Sequence, residues 1–427
     1  MDQYRIVGGR PIGGTIRASG NKNAALPCIA AALLADGPVT LRNLPEIEDV
    51  QVMLEIFRAL GGKVVKIKPN EYRLSVGDLR SCEIPAEQAK KIRASILFAG
   101  PLLARTGKAV LPPPGGDVIG RRRLDTHFLA LTELGAAVAV DGAFTFSAAR
   151  LVGADIFLDE ASVTATENAV MAAVLASGRT VLTNAASEPH VQDLCRMLCL
   201  MGAAIQGIGS NTLTIDGVER LSGCEFAIGA DFMEVGSFIG LAAATRGELV
   251  IEGVSPADLR PAKVGFGKLG IRWETEGTTL RVPADQALKV NTDLGGMIPK
   301  IDDAPWPGFP PDLMSIIAVV ATQVDGTVLA HEKMFESRMF FVDKLIGMGA
   351  RIVLCDPHRA VITGPAKLSA GELTSPDVRA GMALVIAALC AEGVSVIRNV
   401  YQIERGYESL VDRLSGLGAR IERGTSC

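Results

Sequence analysis

Histidine and the large aromatics are scarce in this 427-residue chain, which has four His, two Trp and four Tyr. Its fourteen Phe form no interleaved basic and aromatic patch, and Asp plus Glu (47) outnumber Lys plus Arg (43), leaving a formal charge of −4. No global basic field is available to hold nucleic acid. Apolar residues make up 48% of the chain but never gather into an uncharged run of eighteen, so no membrane insertion is expected. The opening Met1-Asp2-Gln3-Tyr4-Arg5-Ile6-Val7 reads as a strand and lacks the charged and apolar regions of a secretory leader. The eight cysteines show no Cys-x-x-Cys spacing and no paired histidines nearby, so the plain expectation is reduced thiols and a cytoplasmic protein. Cys195 and Cys199 share one face of a helix predicted over Asp193 to Leu200. Core packing suits them better than a metal or redox pair, because free cysteine behaves as a small buried hydrophobe.

What the chain has is a repeat. Six times an apolar helix is followed by a glycine (Gly37, Gly107, Gly178, Gly247, Gly326, Gly393), a β-branched strand and a second helix. That second helix closes on Leu60-Gly61, Leu134-Gly135, Met201-Gly202, Leu269-Gly270, Met348-Gly349 or Leu417-Gly418. The closing glycines are 74, 67, 68, 79 and 69 residues apart, too long for a helical hairpin solenoid, so each unit is a small α/β fold.

Each unit also has a front strand. Thr15-Ile16-Arg17, Glu83-Ile84, Ile156-Phe157-Leu158, Glu225-Phe226-Ala227 and Glu372-Leu373-Thr374 supply units one to four and six, and the fifth is hidden in the Pro-rich stretch before Asp312. The helix after it, such as Ala24 to Leu34 or Met382 to Cys390, is apolar nearly all round and belongs inside. The second helix is amphipathic, with Val50, Met53, Leu54, Ile56, Phe57 and Leu60 against Gln51, Glu55 and Arg58. Right-handed crossovers then give parallel pairs within mixed sheets. The buried helices can bring their N-termini together, where anions bind.

Comparing the copies singles out polar positions. The start of the buried helix carries Asn21-Lys22-Asn23, Arg93, Ser162-Val163-Thr164, Asp231, Asp312 and Asp377-Val378-Arg379 in units one to six. Helix capping accounts best for Asp231 and Asp377. A lysine at a helix N-terminus opposes the dipole and asks for an anion. Counted from the first glycine of each unit, Arg122 lies fifteen residues on, and Arg338 and Arg405 both lie twelve on. These cations with Lys22 would suit a multiply charged small ligand, each close pair contributing on the order of 4 kcal/mol before desolvation. Solvated surface arginines would have the same spacing, which does not choose between the two. The loop Pro112-Pro113-Pro114-Gly115-Gly116-Asp117-Val118-Ile119-Gly120 is rigid at its start and flexible at its end, the make-up of a lid, and lacks the Lys-Ser/Thr of a P-loop.

Ser19-Gly20-Asn21-Lys22-Asn23-Ala24-Ala25-Leu26-Pro27, Arg93-Ala94-Ser95, the lid, Gly308-Phe309-Pro310-Pro311-Asp312, Phe335-Glu336-Ser337-Arg338 and Arg405-Gly406-Tyr407-Glu408 occur in order from about residue 3 to residue 423. Together they resemble the enolpyruvyl transferases, in the branch that takes a uridine-nucleotide sugar. The resemblance implies a two-domain inside-out α/β barrel with six βαβαβ-like units, three per domain. Residues 22–228 would form one domain, carrying the lid 112–123, and residues 1–21 with 229–427 the other, the active site lying in the cleft between them. It implies transfer of the enolpyruvyl group of phosphoenolpyruvate to the 3-hydroxyl of UDP-N-acetylglucosamine, with release of phosphate, committing the sugar to peptidoglycan. No metal or organic cofactor is implied.

By the same resemblance, Lys22, Asn23, Arg122, Arg338 and Arg405 would hold phosphoenolpyruvate. Asn23, Arg93, Arg122, Arg123, Leu124, Asp125, Thr126, Ser162, Val163, Thr164, Asp312 and the backbone near Met334 would line the nucleotide-sugar site. Asp312 would take the proton of the 3-hydroxyl, and Asp117, Lys22 and Arg405 would complete the catalytic set. Most members carry cysteine in the lid where this chain has Asp117, a position expected to serve as general acid or in product release. Other departures are Arg122-Arg123 for Arg-Pro, Pro311-Asp312 for Thr-Asp, and Glu160 where some members have lysine. These leave open another uridine-nucleotide acceptor. Shikimate 3-phosphate fits the motifs less well. A silent nucleotide-sugar sensor would keep the fold without turnover, which the presence of Lys22, Asp312 and Arg405 argues against.

Overall fold

The computed structural model describes residues 2–116, 120 and 123–425, so Asp117, Arg121 and Arg122 lie outside the described residues. The described residues form five four-stranded sheets and one three-stranded sheet. In every four-stranded sheet one short strand runs parallel to the strand that follows a repeat glycine, and two more add antiparallel. Period-2 burial drives this arrangement: in Arg179–Thr183, Thr180 and Leu182 are buried, and Leu182 pairs with Ile156 of Asp155–Phe157. In the second unit the expected strand Glu83-Ile84 shrinks to a single bridge between Glu83 and Val110, leaving the sheet three-stranded.

Two front strands are exchanged relative to the sequence pattern. Gly14–Arg17, expected in unit one, pairs with Leu249–Glu252 of unit four (Ile16 opposite Ile251). Glu225–Ala227 pairs with Val39–Arg42 of unit one (Phe226 opposite Leu41). The chain forms two compact units, residues 20–116 with 123–229, and residues 2–19 and 120 with 230–425. Each exchanged strand precedes a crossing, at Ser19/Gly20 or Gly229/Ala230, and stays with the unit the chain is leaving. Periodicity cannot reveal this, because all six glycine strands offer the same kind of edge. The fifth front strand is Lys300–Asp302, ahead of the Pro-rich stretch rather than inside it, and pairs with Gly326–His331. The opening strand Asp2–Val7 sits between Val394–Arg398 and Arg420–Thr425, in the middle of the last sheet.

The inner helices are buried as their sequences require. All fourteen residues of Phe232–Thr245 are buried, as are all of Val378–Cys390 except its last. These two pack on each other and on Met314–Ala321. Gly236 and Gly240 permit the close approach: a Cβ on either would lie 2.7 Å from Leu313 Cδ or 2.6 Å from Ile316 Cγ2. Lys22–Ala31 begins two residues ahead of the apolar run because Asn21 caps it, and it tightens into a 3-10 turn at Ala32–Leu34. The outer helices are one-sided. Glu48–Ala59 buries Val50, Met53, Leu54, Ile56 and Phe57 and leaves Glu55 and Arg58 exposed. After each outer helix the closing glycine takes positive φ, from 71° at Gly270 to 110° at Gly61, the left-handed turn that ends a helix. Each unit has its own apolar core. Among the described residues no helix is long and apolar enough to cross a membrane, and the described cysteines are free, with Cys195 buried.

A side-chain clamp ties front strand to glycine strand in three units. Asn43, Asn184 and Asn399 follow their glycine strands in the left-handed region (φ 55°, 59° and 59°). Their Nδ2 groups donate to the carbonyls of Ile228, Leu158 and Ser375, the residues just past the front strands, at 2.9, 2.8 and 2.9 Å. Asparagine suits both tasks, tolerating the left-handed turn and carrying a donor.

Candidate functional site

In the unit of residues 20–229, Asn21 accepts hydrogen bonds from the backbone of Asn23 and Ala24, and Lys22 begins the helix. The lysine at the positive end of the helix dipole does have an anion: its Nζ lies 3.0 Å from Asp49 Oδ2, with both side chains mostly buried. Asp49 opens the outer helix of the same unit, so one carboxylate serves the helix dipole and the lysine charge together.

Several of the residues expected at the nucleotide sugar in this unit make hydrogen bonds or ion pairs with their neighbours. Arg93 begins the 3-10 turn Arg93–Phe98 and donates to the Arg123 carbonyl at 3.1 Å. Arg123 pairs with Asp125 at 2.9 Å on the surface. Leu124 precedes the helix Asp125–Glu133, and buried Thr126 donates to Asp159 Oδ1 at 2.7 Å. Ser162, Val163 and Thr164 open the inner helix Val163–Ala173, with Ser162 at the cap position but making no side-chain cap bond.

One buried residue here was missed from the sequence. His127 meets Thr164 Oγ1 through Nε2 at 3.0 Å and Asn168 Nδ2 through Nδ1 at 2.9 Å. Asn168 in turn donates to the Ile96 carbonyl and accepts from Gly100 N. With the amide donating to Nδ1, the ring carries its proton on Nε2 and gives it to Thr164. Burial, with help from the Arg93 charge, lowers the imidazole pKa to about 3. A lone histidine ahead of the apolar run Phe128 to Leu131 gives no sequence signal of this.

In the unit that holds residues 230–425, Asp231 and Asp377 are helix caps, each accepting from two backbone N–H groups. Asp312 lies in the 3-10 turn Pro311–Leu313 that leads into Met314–Ala321. Its Oδ1 is 3.1 Å from Arg338 Nη2 and its Oδ2 3.0 Å from Arg379 Nε. Arg379 Nη2 reaches to 4.0 Å from Asp231, so three inner-helix N-termini meet around one guanidinium. That guanidinium stacks 5.3 Å from the Tyr407 ring centroid, and Tyr407 Oη bonds Ser237 Oγ at 2.8 Å. Arg338 and Arg379 are both nearly fully buried. Burial works against the Arg338 charge, and Asp312, Glu332 and Asp377 outweigh it, holding it above its ordinary value.

Arg405 is buried too, its Nη1 donating to Gln402 Oε1 at 2.9 Å. Met334 is partly exposed, and its N–H is held by Asp303. Arg379 stood in the sequence only among the polar residues that open the sixth inner helix and was given no binding role, although an arginine inside an apolar helix was a signal. Its Nη1 is buried with no hydrogen-bond partner among the described residues. Asp117 and Arg122 belong to the expected site and lie outside the described residues.

Comparison with known proteins agrees with this architecture. A family model described as EPSP synthase (3-phosphoshikimate 1-carboxyvinyltransferase) matches residues 6–414. A relative from Treponema denticola, named UDP-N-acetylglucosamine 1-carboxyvinyltransferase, is 71% identical over 422 residues, covering 99% of each chain. One of the same name from Treponema pallidum is 67% identical over 421 residues, again covering 99% of each. The crystal structure of the enolpyruvyl transferase NikO from Streptomyces tendae superposes with a TM-score of 0.87 at 24% identity, covering 100% of this chain and 99% of that one, a likeness of fold. The chain belongs to the EPSP synthase, or enolpyruvyl transferase, family.

Proposed function

We propose that this protein is a cytoplasmic transferase that moves the enolpyruvyl group of phosphoenolpyruvate to the 3-hydroxyl of UDP-N-acetylglucosamine, releasing phosphate for peptidoglycan synthesis. The observation that carries the acceptor is the 71% identity, over 99% of both chains, to a relative named for this reaction. The site geometry supports an anionic substrate. Arg338 and Arg379 bring two nearly fully buried guanidinium groups to one place, where low dielectric strengthens their attraction for an anion.

The chemistry is addition followed by elimination. The sugar oxygen bonds to C2 of phosphoenolpyruvate as a proton adds to C3; a C3 proton then leaves as the C2–O bond to phosphate breaks. Asp312 takes the 3-hydroxyl proton. Its two oxygens each hold one arginine, which fixes the carboxylate at the start of the inner helix for that task. Lys22, Asn23, Arg122, Arg338 and Arg405 hold phosphoenolpyruvate, and Arg379 joins them on its position beside Asp312. Arg93, Arg122, Arg123, Leu124, Asp125, Thr126, Ser162, Val163, Thr164, Asn23 and Met334 hold the nucleotide sugar. Asp117, standing where most members have cysteine, acts as general acid or in product release.

The test is phosphate release from phosphoenolpyruvate with UDP-N-acetylglucosamine, with another uridine-nucleotide sugar, with shikimate 3-phosphate and with no acceptor. Release dependent on UDP-N-acetylglucosamine supports the reading; release with shikimate 3-phosphate alone, or none at all, rejects it.

A further inference from the structure

The three asparagine clamps have a counterpart of different chemistry in the fifth unit. Position by position, Glu332 follows its glycine strand Gly326–His331 as Asn43, Asn184 and Asn399 follow theirs. Asp303 follows its front strand as Ile228, Leu158 and Ser375 do. The backbone confirms the equivalence: Ile228 N bonds Arg42 O, Leu158 N bonds Thr183 O, Ser375 N bonds Arg398 O, and Asp303 N bonds His331 O. Glu332 therefore stands where three other units have an asparagine, and Asp303 adds a second fully buried carboxyl at the position whose main-chain carbonyl those asparagines hold.

The exchange falls in the unit whose loop carries Met334 and Arg338. Asp303 Oδ1 accepts from Lys333 N, and Oδ2 from Met334 N at 3.3 Å. Glu332 Oε1 accepts from Phe335 N at 3.2 Å. Its Oε2 faces Arg338 Nε across 3.8 Å, beyond hydrogen-bond range, and both atoms are buried without a hydrogen-bond partner among the described residues. An ionised Glu332 would close that gap, whereas a neutral one leaves the guanidinium turned to Asp312.

We infer that Glu332 and Asp303 are positioning residues: their buried carboxyl groups fix the backbone of residues 333 to 335, Met334 among them, for the nucleotide sugar and leave Arg338 directed at Asp312 for the enolpyruvyl donor. The groups facing Glu332 are Arg338 from its 3-10 turn, Asp303 from the front strand and Asp312 from the inner-helix start. His358, from the following turn, has its Nδ1 on the Glu332 carbonyl. Burial, outweighing the opposing pull of Arg338 and aided by Asp303 and Asp312, lifts Glu332 from 4.5 to about 9. Glu332 thus keeps its proton at neutral pH and loses it in alkali, where it competes with Asp312 for Arg338.

This inference rests on the proposed transfer reaction, and part of its test does not need turnover. The variants are Glu332→Ala and Glu332→Gln, the latter a permanently neutral isostere. Near neutrality the Ala variant should lose about tenfold or more in kcat/KM for both substrates while the Gln variant recovers most of it. Toward pH values above about 9 the unmutated protein should fall off in kcat/KM for phosphoenolpyruvate and the Gln variant should not. A Gln variant as impaired as the Ala variant, or pH profiles that superimpose, would overturn the inference. If the unmutated protein shows no turnover, the functional reading fails by itself, and stability decides the positioning pair. Because the folded protein binds the Glu332 proton more tightly than the unfolded chain, its contribution is full below 4.5 and lost progressively up to about 9. Thermal unfolding should therefore show Gln gaining on the unmutated protein across that window; a difference constant with pH would reject the neutral Glu332.

Discussion

His127 holds Thr164 only as a neutral ring, and acid is where that dependence should show. Its pKa is depressed, first by burial and then by Arg93, to about 3 in the folded protein against 6.5 ordinarily. The unfolded chain binds the proton more readily, so the stability His127 contributes is full above 6.5 and is lost as pH falls toward 3. His127→Gln should flatten the acid side of a pH series of unfolding midpoints; an unchanged acid slope would show that the ring is not the titrating group. Asp117 is a second case at this scale. A carboxylate is a far poorer nucleophile toward an epoxide than a thiolate. The unmutated protein should withstand fosfomycin, and Asp117→Cys should acquire time-dependent inactivation with a covalent adduct. Rapid labelling of the unmutated chain would sink that expectation. Legibility at this scale was uneven. Asp231 and Asp377 read correctly as caps from position alone, but Asp49, the partner of Lys22, is 27 residues away and invisible to any local pattern.

Among the elements, helices and glycine turns were the most legible because their causes are local. An apolar run without a polar face forecasts burial, and a glycine after an amphipathic helix forecasts the left-handed turn found at Gly61, Gly135, Gly202, Gly270, Gly349 and Gly418. Front strands were legible as strands but not by partner: Gly14–Arg17 and Glu225–Ala227 carry nothing that names the sheet they join. The asparagine clamps offer a direct measure of how such short strands are kept. Asn399→Ala loses the bond to the Ser375 carbonyl and places a Cβ residue without a compensating polar group at positive φ. A loss of about 1–3 kcal/mol in denaturant unfolding is expected, with Asn399→Gly recovering the backbone share. Equal stability of Ala, Gly and unmutated proteins would mean that the clamp does not secure the strand.

For the whole molecule, the order of strands determines which part can stand alone. Every strand of the three sheets in the unit of residues 20–229 comes from within that span. The other unit draws Asp2–Val7 and Gly14–Arg17 from the far end of the chain, one of them central to its sheet. A fragment of residues 20–229 should give cooperative thermal unfolding and dispersed amide resonances, whereas residues 230–427 alone should not fold until residues 1–19 are supplied. A cooperatively folded 230–427 fragment would contradict that division. The six-fold repeat foretold the α/β architecture; the exchange of strands, which makes one unit discontinuous, required tertiary structure because it depends on pairing between residues as far apart in sequence as Thr40 and Glu225 or Gly14 and Leu249.

The measurement that tests the central claim most directly is mass spectrometry of the nucleotide after incubation with phosphoenolpyruvate and UDP-N-acetylglucosamine, with phosphate counted in parallel. The account predicts a UDP-N-acetylglucosamine product heavier by one enolpyruvyl group, formed in equal amount with phosphate. Unchanged UDP-N-acetylglucosamine, or phosphate released without that product, would contradict it.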